Sequence, residues 1–328
     1  MRLRTEVHPG PAPSPIHPGQ RILSIGSCFA DCMGLRLQDY KFPTLANPFG
    51  VLFNPLSISK LLCSSLNGSS LSESGLIERN GLYFHYDLHS SFHSQYPEEL
   101  LDAGNKALQQ TGKFLRNTDH LILTLGTAFV YYHLTSGQAV ANCHKVPAAT
   151  FEKKLLSVPE VEGSLNNLLK CLKDHDLNPA ITVTVSPIRH IKDTATLNTV
   201  SKSTLRLAAH YLATKYTDIR YFPSYEIMMD DLRDYRFYRE DMLHPTSQAE
   251  QYIWDIFTHT TFTEEGRNFA REWSKIRSAL AHRPLNPGSK EHISFLNQTI
   301  GRLKGLESYA DTSKEIAELE KRLNEYGH

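Results

Sequence analysis

The chain has 328 residues, enough to bury a full core in one large domain or two. Its 35 Lys and Arg balance 35 Asp and Glu, so no net field draws in nucleic acid or an anionic membrane surface. The apolar share of 40% is ordinary for a globular protein, and no run approaches the roughly 18 apolar residues that a membrane helix needs. Residues 1–20 form a polar lead-in rich in Pro and His, without the apolar stretch of a signal peptide. Five cysteines, an odd number scattered along the chain, suit free thiols in a reducing compartment better than a disulfide frame. The expected location is the cytoplasm.

In chain order, residues 21–25 form a short apolar strand closed by Gly26, and residues 29–40 follow as a helix with Met33 and Leu37 on one face. Asn47-Pro-Phe-Gly50 is loop chemistry, and Asn54-Pro55 starts a helix that runs to Leu66. Asn80-Gly81 between two short apolar runs signals a first inserted hairpin. A helix over 98–115 leads to Leu121-Ile-Leu-Thr-Leu125, a strand apolar on both faces that ends at Gly126. Ser136-Gly137 marks a second inserted hairpin, and leucine spacing predicts a helix over 149–173. A strand at 181–185, a helix over 196–215, a strand at 219–222 and a helix over 247–258 complete the alternation.

Apolar, non-alternating strands that alternate with helices predict a parallel sheet covered on both sides. A helix over 264–280 and two amphipathic segments broken near Asp311-Thr-Ser follow. This tail is either a helical hairpin packed on the body or a contact between copies of the chain. The division is therefore a lead-in at 1–20, an α/β domain at 21–262 and C-terminal helices at 263–328.

Gly26-Ser27-Cys28 places two potential nucleophiles where a strand turns into a helix. Such a turn points a side chain into the crevice above a parallel sheet, at the positive end of a helix dipole. That position favours a thiolate, so a lowered thiol pKa is expected at Cys28. Far downstream lies Asp241-Met-Leu-His244-Pro245. An Asp three residues before a His can fold back onto Nδ1, fixing the tautomer and leaving Nε2 as a base. The order nucleophile, Asp, His makes a triad.

Gly26-Ser-Cys-Phe-Ala30 resembles the motif of the GSCFA family, a branch of the SGNH (GDSL-like) hydrolases. Asn47-Pro-Phe-Gly-Val-Leu-Phe-Asn-Pro55, Asp87-Leu-His-Ser90, Leu125-Gly-Thr-Ala-Phe129, Ala141-Asn-Cys-His-Lys145 and Ser186-Pro-Ile-Arg-His190 are similar to it too, as is the segment around His244. The resemblance runs from about residue 4 to 258 and leaves the tail outside. It implies a three-layer α/β/α sandwich with a flavodoxin-like parallel sheet, and ester or thioester chemistry on a small-molecule or glycan-type acyl ester. Register against Gly-Asp-Ser puts Cys28 at the nucleophile, whereas side-chain type points to Ser27; Cys28 is favoured, with Ser27 as helix cap or donor. Gly50 stands at the second block of the oxyanion hole. The third block lacks its asparagine, which leaves Thr127, Asn47 or Asn142 as substitutes. No cofactor is expected.

Three further features invite a reading. His85, His89 and His93 recur every four residues around Asp87, but that spacing shares a face only on a helix, and this stretch has strand character. Lid or substrate contacts from His89 and Ser90 are the better expectation, and no metal is expected. Arg189 either holds an anionic substrate group or pairs with a neighbour. The alternative to an enzyme is a binding or scaffold protein that keeps the fold and uses its helical tail for partner contact.

Overall fold

A computed structural model describes residues 4–326. The first half runs β1 (Ile22–Gly26), α1 (Cys28–Asp39), β2 (Thr44–Ala46), α2 (Pro55–Leu66), the hairpin β3 (Leu76–Arg79) and β4 (Leu82–His85), α3 (Pro97–Leu115) and β5 (His120–Leu125). A small sheet of β6 (Phe129–His133), β7 (Ala139–Val140) and β8 (Phe151–Leu155) follows. Then come α4 (Val158–Asp174), β9 (Ala180–Val185), α5 (Ala195–Lys215), β10 (Ile219–Phe222) and the single turn α6 (Ser224–Glu226). Four helices end the chain: α7 (Ser247–Thr261), α8 (Glu264–Ala281), α9 (Lys290–Lys304) and α10 (Ser313–Tyr326).

The main sheet has the order β2-β1-β5-β9-β10, every pair parallel. This is the flavodoxin-like order, and its direction of winding reverses between β1 and β5. Ligand crevices in open α/β sheets form beyond the carboxyl ends of the strands at such a reversal. Here those ends are Gly26 and Leu125.

Side chains alternate across the sheet and build two cores. Leu23 and Ile25 of β1 face one side with Leu123, Val183 and the buried faces of α2 to α5. Ile22 faces the other with Ile122, Phe222, Phe29, Met33 and Trp254. The result is a three-layer α/β/α sandwich. Helices α8 to α10 close the second core with Trp273, Ile276, Leu303 and Leu319. Trp273 Nε1 donates to the Asp39 carbonyl at 2.6 Å, and Lys41 pairs with Glu315 at 2.7 Å. The tail thus lays its apolar faces on the body. Among the described residues no helix is long and apolar enough to cross a membrane.

The structure departs from the sequence expectations in two places. The helix expected over 149–173 begins only at Val158, because Ser157 and Glu160 form a reciprocal capping box with Pro159 in the first turn. The residues before it form β8, which pairs with β6 so that the second insertion is a three-stranded sheet rather than a hairpin. Strand β2 was not expected; three residues carry no alternation to read, and it exists because Ile22 to Ser24 offer an open edge.

Candidate active site

The turn after β1 is tightly built. Gly26 has φ +142°, and a Cβ there would lie 2.0 Å from the Thr124 carbonyl oxygen. Only glycine fits. Its N–H donates to Asn47 Oδ1 at 2.7 Å, while Asn47 Nδ2 donates to Asp31 Oδ1 at 2.6 Å. Ser27 N–H donates to the Thr124 carbonyl at 3.0 Å, and its hydroxyl accepts from the Phe29 N–H as the N-cap of α1. That leaves the Ser27 side chain 1% exposed and occupied as a cap.

Cys28 is the first residue of α1 and half-buried. Its electrostatics run against the expected lowered thiol. Burial pushes the Cys28 thiol up, the Asp31 carboxylate adds to that, and only the residue's own backbone N–H favours the thiolate. Desolvation is the largest of these effects, and Asp31, in the same first turn, adds to it.

The downstream pair forms as its spacing predicts. His244 Nδ1 lies 2.6 Å from Asp241 Oδ2, and Asp241 Oδ1 accepts the N–H groups of Leu243 at 2.8 Å and His244 at 3.0 Å. These hydrogen bonds hold the Asp241 carboxyl down at about 2, with the backbone N–H of His244 the largest cause. The carboxylate therefore accepts from Nδ1–H and leaves Nε2 as the free lone pair, a tautomer assigned from the network. Arg189 N–H donates to the Leu243 carbonyl at 3.3 Å, tying this loop to the end of β9. Cys28 Sγ and the imidazole are not hydrogen-bonded to each other.

Gly50, Thr127, Asn142 and Asn47 each have a candidate oxyanion donor already hydrogen-bonded within the fold. Gly50 N–H donates to the Asn47 carbonyl at 2.8 Å, in a turn with φ +73° packed against His89. Thr127 donates its N–H to Phe53, and its hydroxyl contacts Ser201 and the Phe129 N–H. Asn142 binds Ser90 Oγ and the His144 N–H within the insertion, and Asn47 is held as above. For Thr127 and Asn142 the partners Phe53, Ser201 and Ser90 lie far off in sequence, out of reach of a local reading.

Two neighbours were missed. Lys202 on α5 is 1% exposed, and its ammonium donates to the carbonyls of Gly126 at 2.7 Å and Ser186 at 2.8 Å, beyond the ends of β5 and β9. Burial pulls its pKa down to about 7. A signal existed: residue 202 falls in register with Leu205, Ala209 and Leu212 on the buried face of α5. His190 packs edge-on against Phe53, and its Nε2 is buried without a hydrogen-bond partner. Burial, then Lys202 and His244, press its pKa down to about 3, so this imidazole is neutral.

The remaining candidates scatter. Arg189 stacks over Tyr238 at 4.3 Å and Tyr235 at 5.3 Å, lining a separate cavity of about 320 Å³ with Met228 and Arg233. His89 abuts Gly50; burial pushes the nearby Asp31 carboxyl up, against the smaller opposing effects of Asn47 and His89. His85 turns to the Ser72 carbonyl and His93 to the Ser90 carbonyl. Among the described residues no group of three His, Cys, Asp or Glu is arranged to hold a metal ion. Phe53, Thr127, Asn142 and His190 line a cavity of about 410 Å³ between the strand ends and the small sheet.

No curated protein and no solved structure matches the chain. The tail, which the motif resemblance did not reach, matches the family model described as GSCFA domain protein, C-terminal domain, over residues 273–325. The model of the GSCFA family matches residues 21–257, from the first strand through the Asp241–His244 loop into α7, and the chain belongs to that family.

Proposed function

We propose that the protein is an SGNH-type acyl hydrolase or acyltransferase acting on an ester or thioester. The observation that carries this reading is the Asp241–His244 pair at 2.6 Å, clamped by two backbone N–H groups and tied to the end of β9. In this reading Cys28 Sγ attacks the substrate carbonyl while His244 Nε2 takes the thiol proton. Collapse of the tetrahedral intermediate expels the alcohol or thiol, which leaves with that proton, and a Cys28 acyl-thioester remains. Water or an acceptor alcohol then attacks the thioester, His244 again carrying the proton, and the thiol is restored. Because burial and Asp31 raise the Cys28 thiol, it needs that base at the moment of attack. Ser27 is the weaker nucleophile, since its hydroxyl caps α1.

One observation favours the second reading, a non-catalytic binding or scaffold protein: Gly50, Thr127 and Asn142 each have a donor already hydrogen-bonded within the fold. Turnover of p-nitrophenyl acetate separates the two. Wild type should release p-nitrophenol, and His244→Ala should slow it about 10²-fold or more, the usual loss of a general base. Activity that survives both His244→Ala and Cys28→Ala would sink the acyl-transfer reading.

A further inference from the structure

We propose that the 410 Å³ cavity between the small sheet and the strand ends binds a molecule joining an apolar body to an anionic group, a carboxylate or a phosphate. Its size falls in the range of small-ligand sites, roughly 300–1,000 Å³. The proposal deepens the acyl-transfer reading, because the floor of the cavity adjoins the turn after β1. Phe53 and Thr127 flank Gly126, and a Cβ on Gly126 would lie 2.9 Å from the Phe53 carbonyl oxygen and 3.2 Å from Ser27 Cβ.

The walls are aromatic. Phe129 and Tyr131 of β6 and Phe151 of β8 face the space, suited to an aryl or alkyl body. The mouth is cationic: Lys145, Lys153 and Lys192 line it against one carboxylate, Asp193. Lys153 pairs with Asp193 and lies over the Phe129 ring at 4.4 Å, so that carboxylate is already held. Lys145 and Lys192 have no carboxylate partner among the described residues. In a chain whose charges balance, this is a local excess of positive charge at the edge of an apolar cavity. The same field is felt inside: Lys192 and Lys153 pull down the thiol of Cys143, although burial holds it up at about 11. Both lysines are exposed, so an apolar ligand gains nothing from them, whereas a ligand with an anionic head meets them with charge-assisted hydrogen bonds.

The test is calorimetric titration of the full chain, at low ionic strength, with 4-phenylbutyrate, phenyl phosphate and neutral 4-phenylbutyramide. The better anion should bind about tenfold more tightly than the amide, the scale of one charge-assisted hydrogen bond. Which anion wins identifies the head group. A Lys145→Ala/Lys192→Ala variant with unchanged melting temperature should lose that advantage while still binding the amide. Equal affinity for all three, no binding of any, or an anionic advantage that survives the double variant would each overturn the proposal. Ester turnover does not enter the titration, so this proposal and the acyl-transfer reading fail separately.

Discussion

Replacing Lys202 with methionine probes the buried cation beneath the strand ends. The substitution keeps an unbranched chain of similar length and removes the ammonium that binds the carbonyls of Gly126 and Ser186. Burial lowers the folded-state pKa from the ordinary 10.5 to about 7. Between those values the unfolded chain holds the proton that the folded chain has released, so stability rises with pH across that window. Below about pH 7 the lysine is charged in both states and its contribution stays at its least favourable level. With those values, wild type should gain about 2 kcal/mol over Lys202→Met between pH 7 and 9. The offset between the two proteins at any one pH mixes two unpaired carbonyls in the variant with the removal of a buried charge. The slope isolates the titration. Urea denaturation followed by circular dichroism at pH 7, 8 and 9 measures it, the other titrating groups cancelling in the difference. A wild-type-minus-variant difference that stays constant over this range refutes the argument.

Gly26→Ala should cost about 3 kcal/mol or more, since its Cβ would collide with the Thr124 carbonyl at 2.0 Å in a φ that L-residues avoid; an unchanged thermal midpoint contradicts this. Asn47→Leu removes the partners of the Gly26 N–H and of Asp31, and should destabilise by about 2–4 kcal/mol in urea titration. His120, buried beside Gln20 Oε1, is pulled down to about 4 from the ordinary 6.5. The unfolded chain therefore takes up its proton first, and stability present above pH 6.5 is lost as pH falls toward 4. His120→Gln should flatten that acid limb of the stability curve; an unaltered slope argues against a buried neutral imidazole.

Local chemistry was readable wherever a short stretch contains its own physics. The Gly26 turn, the hairpin at Asn80-Gly81 and the fold-back of Asp241 onto His244 each close within a few residues, and each formed as read. The run at 149–155 was misread because Leu155 suits a leucine-spaced helix as well as a strand, and pairing with Phe129 across β6 decided it. The site divides the same way. Asp241 and His244 were legible; Lys202 was not, although its place on the apolar face of α5 was visible, because the two carbonyls that make a buried ammonium tolerable belong to residues 126 and 186.

The sequence by itself determined the alternation of strand and helix, the glycine turn with its two candidate nucleophiles, and the Asp–His pair, since periodicity, turn chemistry and a three-residue loop are local properties. Tertiary structure decided what those groups can do. It raised the Cys28 thiol, because desolvation and Asp31 outweigh the favourable contact with the residue's own backbone N–H. It committed the donors of Thr127 and Asn142 to partners elsewhere in the fold, and it set Lys202 and His190 where β5 and β9 end. Burial and long-range hydrogen bonds govern ionisation and donor supply, and both exist only once distant segments are packed together.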